Sequence, residues 1–275
     1  MIISIASGKG GTGKTTIATN LARSAKRSVM LLDCDVEEPN AHLFMKPTIT
    51  TTTPVYKPIP QINFEKCTFC AKCAEICEYN ALAVIATQVL VFAELCHGCG
   101  GCTLLCPEGA ISETYQQVGV VERGHSGKVE FVQGILNVSE AMAGPVIRAV
   151  KQQINNHPFA ILDAPPGTSC PVVLTLQGSD FCILVTEPTP FGLHDLQLAV
   201  DVVRQLGIPH GIVLNRADSG DDGVEMYCQQ EQIPVLMRLP TDLRIAEAYS
   251  RGDMIVDALP QYRQTFQELL KSIAR

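Results

Sequence analysis

The stretch from Ser7 to Thr16, SGKGGTGKTT, constrains the fold more than any other part of the chain. It follows a β-branched run, Ile2 to Ile5, and leads into residues 15–27, where apolar residues recur at helical spacing. Strand, glycine-rich loop and helix in that order make a phosphate cradle. Gly8, Gly13, Lys14 and Thr15 satisfy the G-x-x-x-x-G-K-[ST] pattern. The glycines let backbone N–H groups converge on a β-phosphate, and the helix behind them adds its positive N-terminal end. Lys14 is spaced to reach the β- and γ-phosphates, and the Thr15 hydroxyl to bind Mg²⁺. Gly8, Lys9, Gly10, Gly11, Thr12, Gly13, Lys14, Thr15 and Thr16 are therefore the candidate nucleotide contacts.

The rest of the chain alternates in a way that suits such a loop. Strands are expected at 29–33, 159–163, 181–185, 210–214 and 234–238, and helices at 144–155, 192–206, 222–231, 242–250 and 261–274. Strands separated by helices argue for an α/β fold, a doubly wound and mostly parallel sheet with phosphate chemistry at its C-terminal edge. A net charge of −7 gives no electrostatic grip on nucleic acid or on an anionic membrane. No apolar run reaches transmembrane length. The first residues lack a basic leader pattern and pass straight into the phosphate loop, so a cytoplasmic protein is expected. The last helix has Phe266, Leu269, Leu270 and Ile273 on one face, and only Lys271 and Arg275 are basic in its second half. That pattern suits packing on the sheet better than lying on a bilayer.

Between residues 46 and 115 the alternation stops. KPTITTTTPVYKPIPQ reads as a Pro/Thr-rich link, and two cysteine clusters follow. Cys67, Cys70, Cys73 and Cys77 form C-x₂-C-x₂-C-x₃-C, and Cys96, Cys99, Cys102 and Cys106 repeat it 29 residues later. Twelve cysteines without an export signal favour metal ligands over disulfides. Two Cys₄ zinc sites are the alternative, but zinc modules usually pair two C-x₂-C knuckles across a spacer. Three thiolates in one tight loop fit three corners of an iron–sulfur cubane, whose sulfurs the curled backbone can hydrogen-bond. The cluster-bearing stretch, residues 60–114, holds two lysines against six glutamates, a net −4 that suits a partner with a basic patch.

The second loop lysine, Lys9 in KGGTGKTT, resembles the deviant P-loop of the MinD/ParA family, which also includes the Mrp-type iron–sulfur carriers and the nitrogenase iron protein. The resemblance spans about residues 1–46 and 115–275. It implies a nucleotide-sandwich homodimer in which Lys9 reaches the partner's nucleotide. It also implies that Asp35, in LLDCDVEEPN, positions the attacking water, and that Asp163, in ILDAPPG, holds Mg²⁺ through water while the Gly167 N–H senses the γ-phosphate. Asn215 is implied to hold the purine, with Pro240 and Asp242 lining the base pocket; Asp242 is also a good helix N-cap. Adenine over guanine rests on the same resemblance. Lys9, Lys14, Asp35 and Asp163 are thus the implied catalytic set, with ATP and Mg²⁺ as ligands.

The tandem cysteine motif resembles the bacterial two-cluster ferredoxins, in which the fourth cysteine crosses over. Cys67, Cys70, Cys73 and Cys106 would then hold one [4Fe–4S] cluster, and Cys96, Cys99, Cys102 and Cys77 the other. Pro107 matches the usual proline after the fourth cysteine, whereas Glu78 replaces it in the first copy. The implied organisation is a P-loop ATPase domain in two parts, 1–58 and 115–275, with a small α+β ferredoxin-like domain inserted at 59–114 after the second strand. Cys170 lies seven residues after Asp163, the offset of a cluster ligand in the nitrogenase protein, but Cys34, Cys182 and Cys228 offer no second ligand in context. An unligated thiol is expected there. The implied activities are slow ATP hydrolysis coupled to electron transfer or docking to a redox or client protein, cluster assembly of the Mrp type, or redox-sensing positioning of the MinD type.

Overall fold

The computed structural model describes residues 1–273; the expected end of the last helix at 274, and Arg275, lie outside the described residues. Strand β1 (Ile2–Ala6) leads through the glycine loop into α1 (Lys14–Ser24), then β2 (Val29–Asp33), α2 (Ala41–Met45) and β3 (Thr48–Ile62). The cysteine stretch follows, with α3 (Lys72–Glu75), the hairpin β4 (Leu82–Ile85) and β5 (Gln88–Val91), and α4 (Gly101–Leu104). The chain returns along β6 (Ile111–Ser126) and β7 (Val129–Leu136). It continues as α5 (Gly144–Gln152), β8 (Ala160–Asp163), α6 (Cys170–Leu176), β9 (Phe181–Thr186) and α7 (Pro190–Gln205). Then come β10 (His210–Asn215), α8 (Gly223–Gln230), β11 (Val235–Leu239), α9 (Leu243–Ser250), α10 (Ile255–Ala258) and α11 (Gln261–Ile273).

Nine strands form one sheet in the order β11-β10-β9-β1-β8-β2-β7-β6-β3. Every pair from β11 to β7 is parallel, while β6 runs against both β7 and β3. The expected α/β, mostly parallel architecture is therefore the observed one. Its central strands are buried on both faces, which is why they read as unbroken apolar runs rather than alternations. On one face Ile17 and Leu21 of α1 pack with Phe266, Leu269 and Ile273 of α11. The other face is covered in two stretches, by Leu196, Val200 and Val203 of α7 and by Val146, Ile147 and Val150 of α5. The last helix is thus a packed one.

Two expectations need correcting. The Pro/Thr-rich link is a strand: Thr48 to Ile62 pair with residues 111–125 of β6 in a long antiparallel ribbon. It reads poorly because it is the sheet edge, exposed over Thr48 to Pro54, so no apolar alternation marks it. The edge also explains Pro54, Pro58 and Pro60, whose missing N–H groups need no partner on an outer strand. Consequently the cysteine stretch does not follow the second strand. It is carried between the ends of β3 and β6, and both strands run unbroken across residues 58/59 and 114/115.

Candidate functional site

Lys14 and Asp163 meet because β1 and β8 are neighbours, with Ile5 beside Asp163 in register. The loop after β1 turns into α1 at Gly13, whose φ of 97° is open to glycine at little cost. Gly8 sits so close to α7 that an added Cβ would lie 2.0 Å from the Asp195 carbonyl oxygen. Asn215, at the end of β10, closes the other side by donating from its amide to the Thr12 carbonyl at 2.9 Å.

A cavity of about 410 Å³ opens over this loop, a size suited to a small ligand. Gly10, Gly11, Gly13, Lys14, Thr15 and Thr16 form its floor, Asp35 one wall, and Asn215, Pro240 and Asp242 another. Gly8, Lys9, Thr12, Asp163 and Gly167 do not line it. Thr12 and Asp163 are buried beneath, each 1% exposed. Asp163 carries two carboxylate oxygens without a hydrogen-bond partner. Burial raises its carboxyl to about 7, against the opposing pull of the Thr15 hydroxyl and Lys14. Burial likewise lifts Asp35 to about 6, with Lys14 opposing. Burial also lowers Lys14 despite the nearby Asp163, Asp35 and Asp33.

Asp33 has a different job from Asp35. Its carboxylate accepts from the N–H groups of Asp35, Asn40 and Ala41, which folds the loop after β2 back on itself. Burial, then the neighbouring Asp163, hold its carboxyl well above the usual range. Three acidic groups thus share one lysine, and the two unpartnered oxygens of Asp163 leave room for a cation. The donor set fits Mg²⁺ beside Thr15.

Two expected contacts are otherwise engaged in this conformation. The Gly167 N–H donates to the Ser7 carbonyl at 3.0 Å, so it faces no phosphate position until that bond opens. Asn215 spends its NH₂ on Thr12 and its oxygen on the Arg216 N–H. Asp242 caps α9 by accepting from the Arg244 N–H, and the Arg244 side chain together with that N–H pulls its carboxyl down to about 2. Ile245 and Tyr249 extend the same wall. Sequence reading missed them and Arg216; their spacing of four along α9 is the signal that could have found the pair.

The eight clustered cysteines sort into two small cavities. One is lined by Cys67, Cys70, Cys73 and Cys106, the other by Cys96, Cys99, Cys102 and Cys77. All twelve cysteines are free. Among the described residues no three His, Cys, Asp or Glu side chains converge as ligands of a single ion. A cubane spreads its four thiolates more widely than one zinc does, so four cysteines around a cavity without convergence on one ion suit a cluster. The duplication extends to the backbone: Phe69, Ala71 and Asn80 have left-handed φ, and so do Gly98, Gly100 and Gly109 at the equivalent positions 29 residues on. A Phe and an Ala held there cost free energy, which a curl around a bound group offsets. N–H groups of Ala81, Gly98 and Ala110 point at the sulfurs of Cys77, Cys96 and Cys106 at 3.3–3.4 Å. Burial pushes the Cys73 and Cys102 thiols up from their ordinary range. His97 stacks on Tyr79 at 3.4 Å over the second cavity.

Comparison with known proteins gives one family and several relatives. The family described as CobQ/CobB/MinD/ParA nucleotide binding domain matches residues 3–255. An uncharacterized protein of Methanocaldococcus jannaschii is 30% identical over 258 residues, 92% of this chain and 90% of its own length. An iron-sulfur cluster carrier protein of Pseudomonas fragi is 25% identical over 299 residues, covering 100% of this chain and 85% of that one. Among solved structures, the septum site-determining protein MinD of Pyrococcus horikoshii, complexed with Mg-ADP, superposes with a TM-score of 0.63. It is 20% identical and covers 100% of this chain and 96% of its own. Among the described residues no helix is long and apolar enough to cross a membrane.

Proposed function

The chain belongs to the CobQ/CobB/MinD/ParA nucleotide-binding family, and from that membership we propose that it is a Mg²⁺-dependent, dimerising ATPase whose nucleotide state governs two [4Fe–4S] clusters held on an inserted ferredoxin-like arm. The observation that supports this is the sorting of eight cysteines into two cavities, each lined by three cysteines of one motif and the last cysteine of the other, on an arm rooted in the nine-stranded sheet.

Lys14 and the loop N–H groups hold the triphosphate, and Thr15 and Asp163 hold Mg²⁺, the latter through water. Asp35 orients the attacking water, and Lys9, outside its own cavity, reaches the nucleotide of a second copy. Gly167 must leave the Ser7 carbonyl to meet a γ-phosphate, so triphosphate binding rearranges the loop after β8. Hydrolysis is slow until a partner completes the site, and brisk turnover by the isolated protein would contradict this. When bound, the clusters supply one-electron transfer. Cys67, Cys70, Cys73 and Cys106 hold one, and Cys96, Cys99, Cys102 and Cys77 the other.

The deciding experiment measures cluster midpoint potentials in the nucleotide-free, ADP and ATP states. A nucleotide-dependent shift is expected; identical potentials would remove the coupling. The name carried by the Pseudomonas fragi relative favours a second reading, cluster delivery. ATP-dependent transfer of a labelled cluster to an apo-acceptor would support it. Four protein ligands per cluster weigh against ready release.

A further inference from the structure

Lys57 is the largest fully buried side chain outside the apolar core, and it lies on β3, five residues before the arm begins. Its Nζ meets Glu140 Oε1 at 2.7 Å, with side-chain exposures of 2% and 6%. The same oxygen accepts the Met142 N–H. The neighbours of Glu140, from Asn137 to Ser139 and Ala141, are exposed, so an otherwise solvated loop sinks one carboxylate into the protein. Burying two charges is costly, and an apolar pair of similar volume is often as stable. The best-attested use of such a pair is to fix how two elements sit together. Here those elements are the root of the arm and the segment ahead of α5.

That segment is also tied to two elements beside the nucleotide cavity, the loop after β2 and the helix that follows the β8 loop. Leu136 donates its N–H to the Val36 carbonyl at 2.8 Å, one residue beyond Asp35. At its other end, Gly144 packs closely on Leu174 of α6, the helix that follows the Asp163–Gly167 loop. Lys151 of α5 caps α6 by donating to the carbonyls of Leu174, Thr175 and Gln177. Residues 136–144 therefore touch the loop after β2, the helix after the β8 loop, and the root of the arm. Because β3 and β6 are the arm's two covalent attachments, a shift of either reorients both cysteine cavities together.

We propose that residues 136–144 form the mechanical link between nucleotide and arm, with Lys57 and Glu140 as the positioning residues that fasten it to β3. The proposal rests on the nucleotide-binding part of the function argued above. Hydrogen exchange on the full chain, nucleotide-free against Mg²⁺ with a non-hydrolysable ATP analogue, reads it without reference to cluster activity. In the wild type, exchange at residues 112–118 of β6 changes by about fivefold on binding. The Lys57→Met/Glu140→Leu double variant, which removes both charges at once, loses that change while analogue affinity stays within about twofold; Lys57→Arg keeps the change. A double variant that responds like the wild type overturns the proposal, as does a wild type that binds the analogue without any response in β6. If the double variant does not fold, Glu140→Gln must weaken the response, and an unaltered one is equally fatal. A wild type that does not bind the analogue sinks the ATPase reading and this inference with it. Normal binding and an intact response, with no iron or sulfide, sink only the cluster reading.

Discussion

Replacing Asp163 by Asn should stabilise the nucleotide-free protein, and increasingly so as pH rises. Asp163 is 1% exposed, has two unpartnered oxygens, and is held by burial at about 7 against an ordinary 3.8. Between those pH values the folded chain binds a proton here that the unfolded chain has already released. Stability from this group is therefore lost as pH rises from about 4 to about 7, the reverse of the usual salt-bridged aspartate. Each pH unit corresponds to about 1.4 kcal/mol, so the full cost is about 4 kcal/mol, of which roughly a third is already present at pH 5. Asn has its own cost as a buried amide, but that cost does not vary with pH. The informative quantity is the growth of the Asn advantage between pH 5 and pH 8, about 2–3 kcal/mol, or about 6 °C in melting temperature. Circular dichroism melts in EDTA at one scan rate measure it. Addition of Mg²⁺ and ATP should reverse the order, stabilising the wild type alone through its neutralised carboxylate. A difference between the two proteins that is flat from pH 5 to pH 8 would refute the claim that Asp163 is an uncompensated buried charge awaiting a cation.

Further expectations concern other parts of the molecule. Iron and sulfide should each reach about eight per chain after anaerobic preparation, and Cys106→Ser should remove the same spectroscopic cluster as Cys70→Ser, while Cys77→Ser removes the other. Loss of the same cluster in Cys77→Ser and Cys70→Ser would show that the fourth ligands do not cross. Lys9→Ala should retain nucleotide binding but lose ATP-dependent dimerisation in light scattering; an ATP-bound dimer of the variant would count against a lysine acting across subunits. Gly8→Ala pushes a methyl into the backbone of Asp195, inside helix α7, which cannot shift to relieve it. It should cost about 3 kcal/mol or abolish nucleotide binding, as checked by chemical denaturation and calorimetry.

The amino-acid order by itself determined the phosphate loop and the parallel sheet, and marked the two cysteine clusters. These rest on signals local in the chain: glycines at fixed offsets, apolar runs of strand length, and thiols spaced for one tight loop. Asp33, Asp35 and Asp163 were visible as strand-end acids. Their division of labour was not, because it depends on which carboxylate the folded backbone satisfies: Asp33 receives three N–H groups and Asp163 none. Only the tertiary structure turned the Pro/Thr stretch into the sheet's edge strand, since an exposed edge carries no apolar period to read. Only packing could bury Lys57 against Glu140, 83 residues away, and aim Gly167 at Ser7 rather than at open space. Local covalent spacing writes a site's chemistry into the sequence, whereas burial and long-range pairing, which decide what each charged group must do, exist only once the chain has closed on itself.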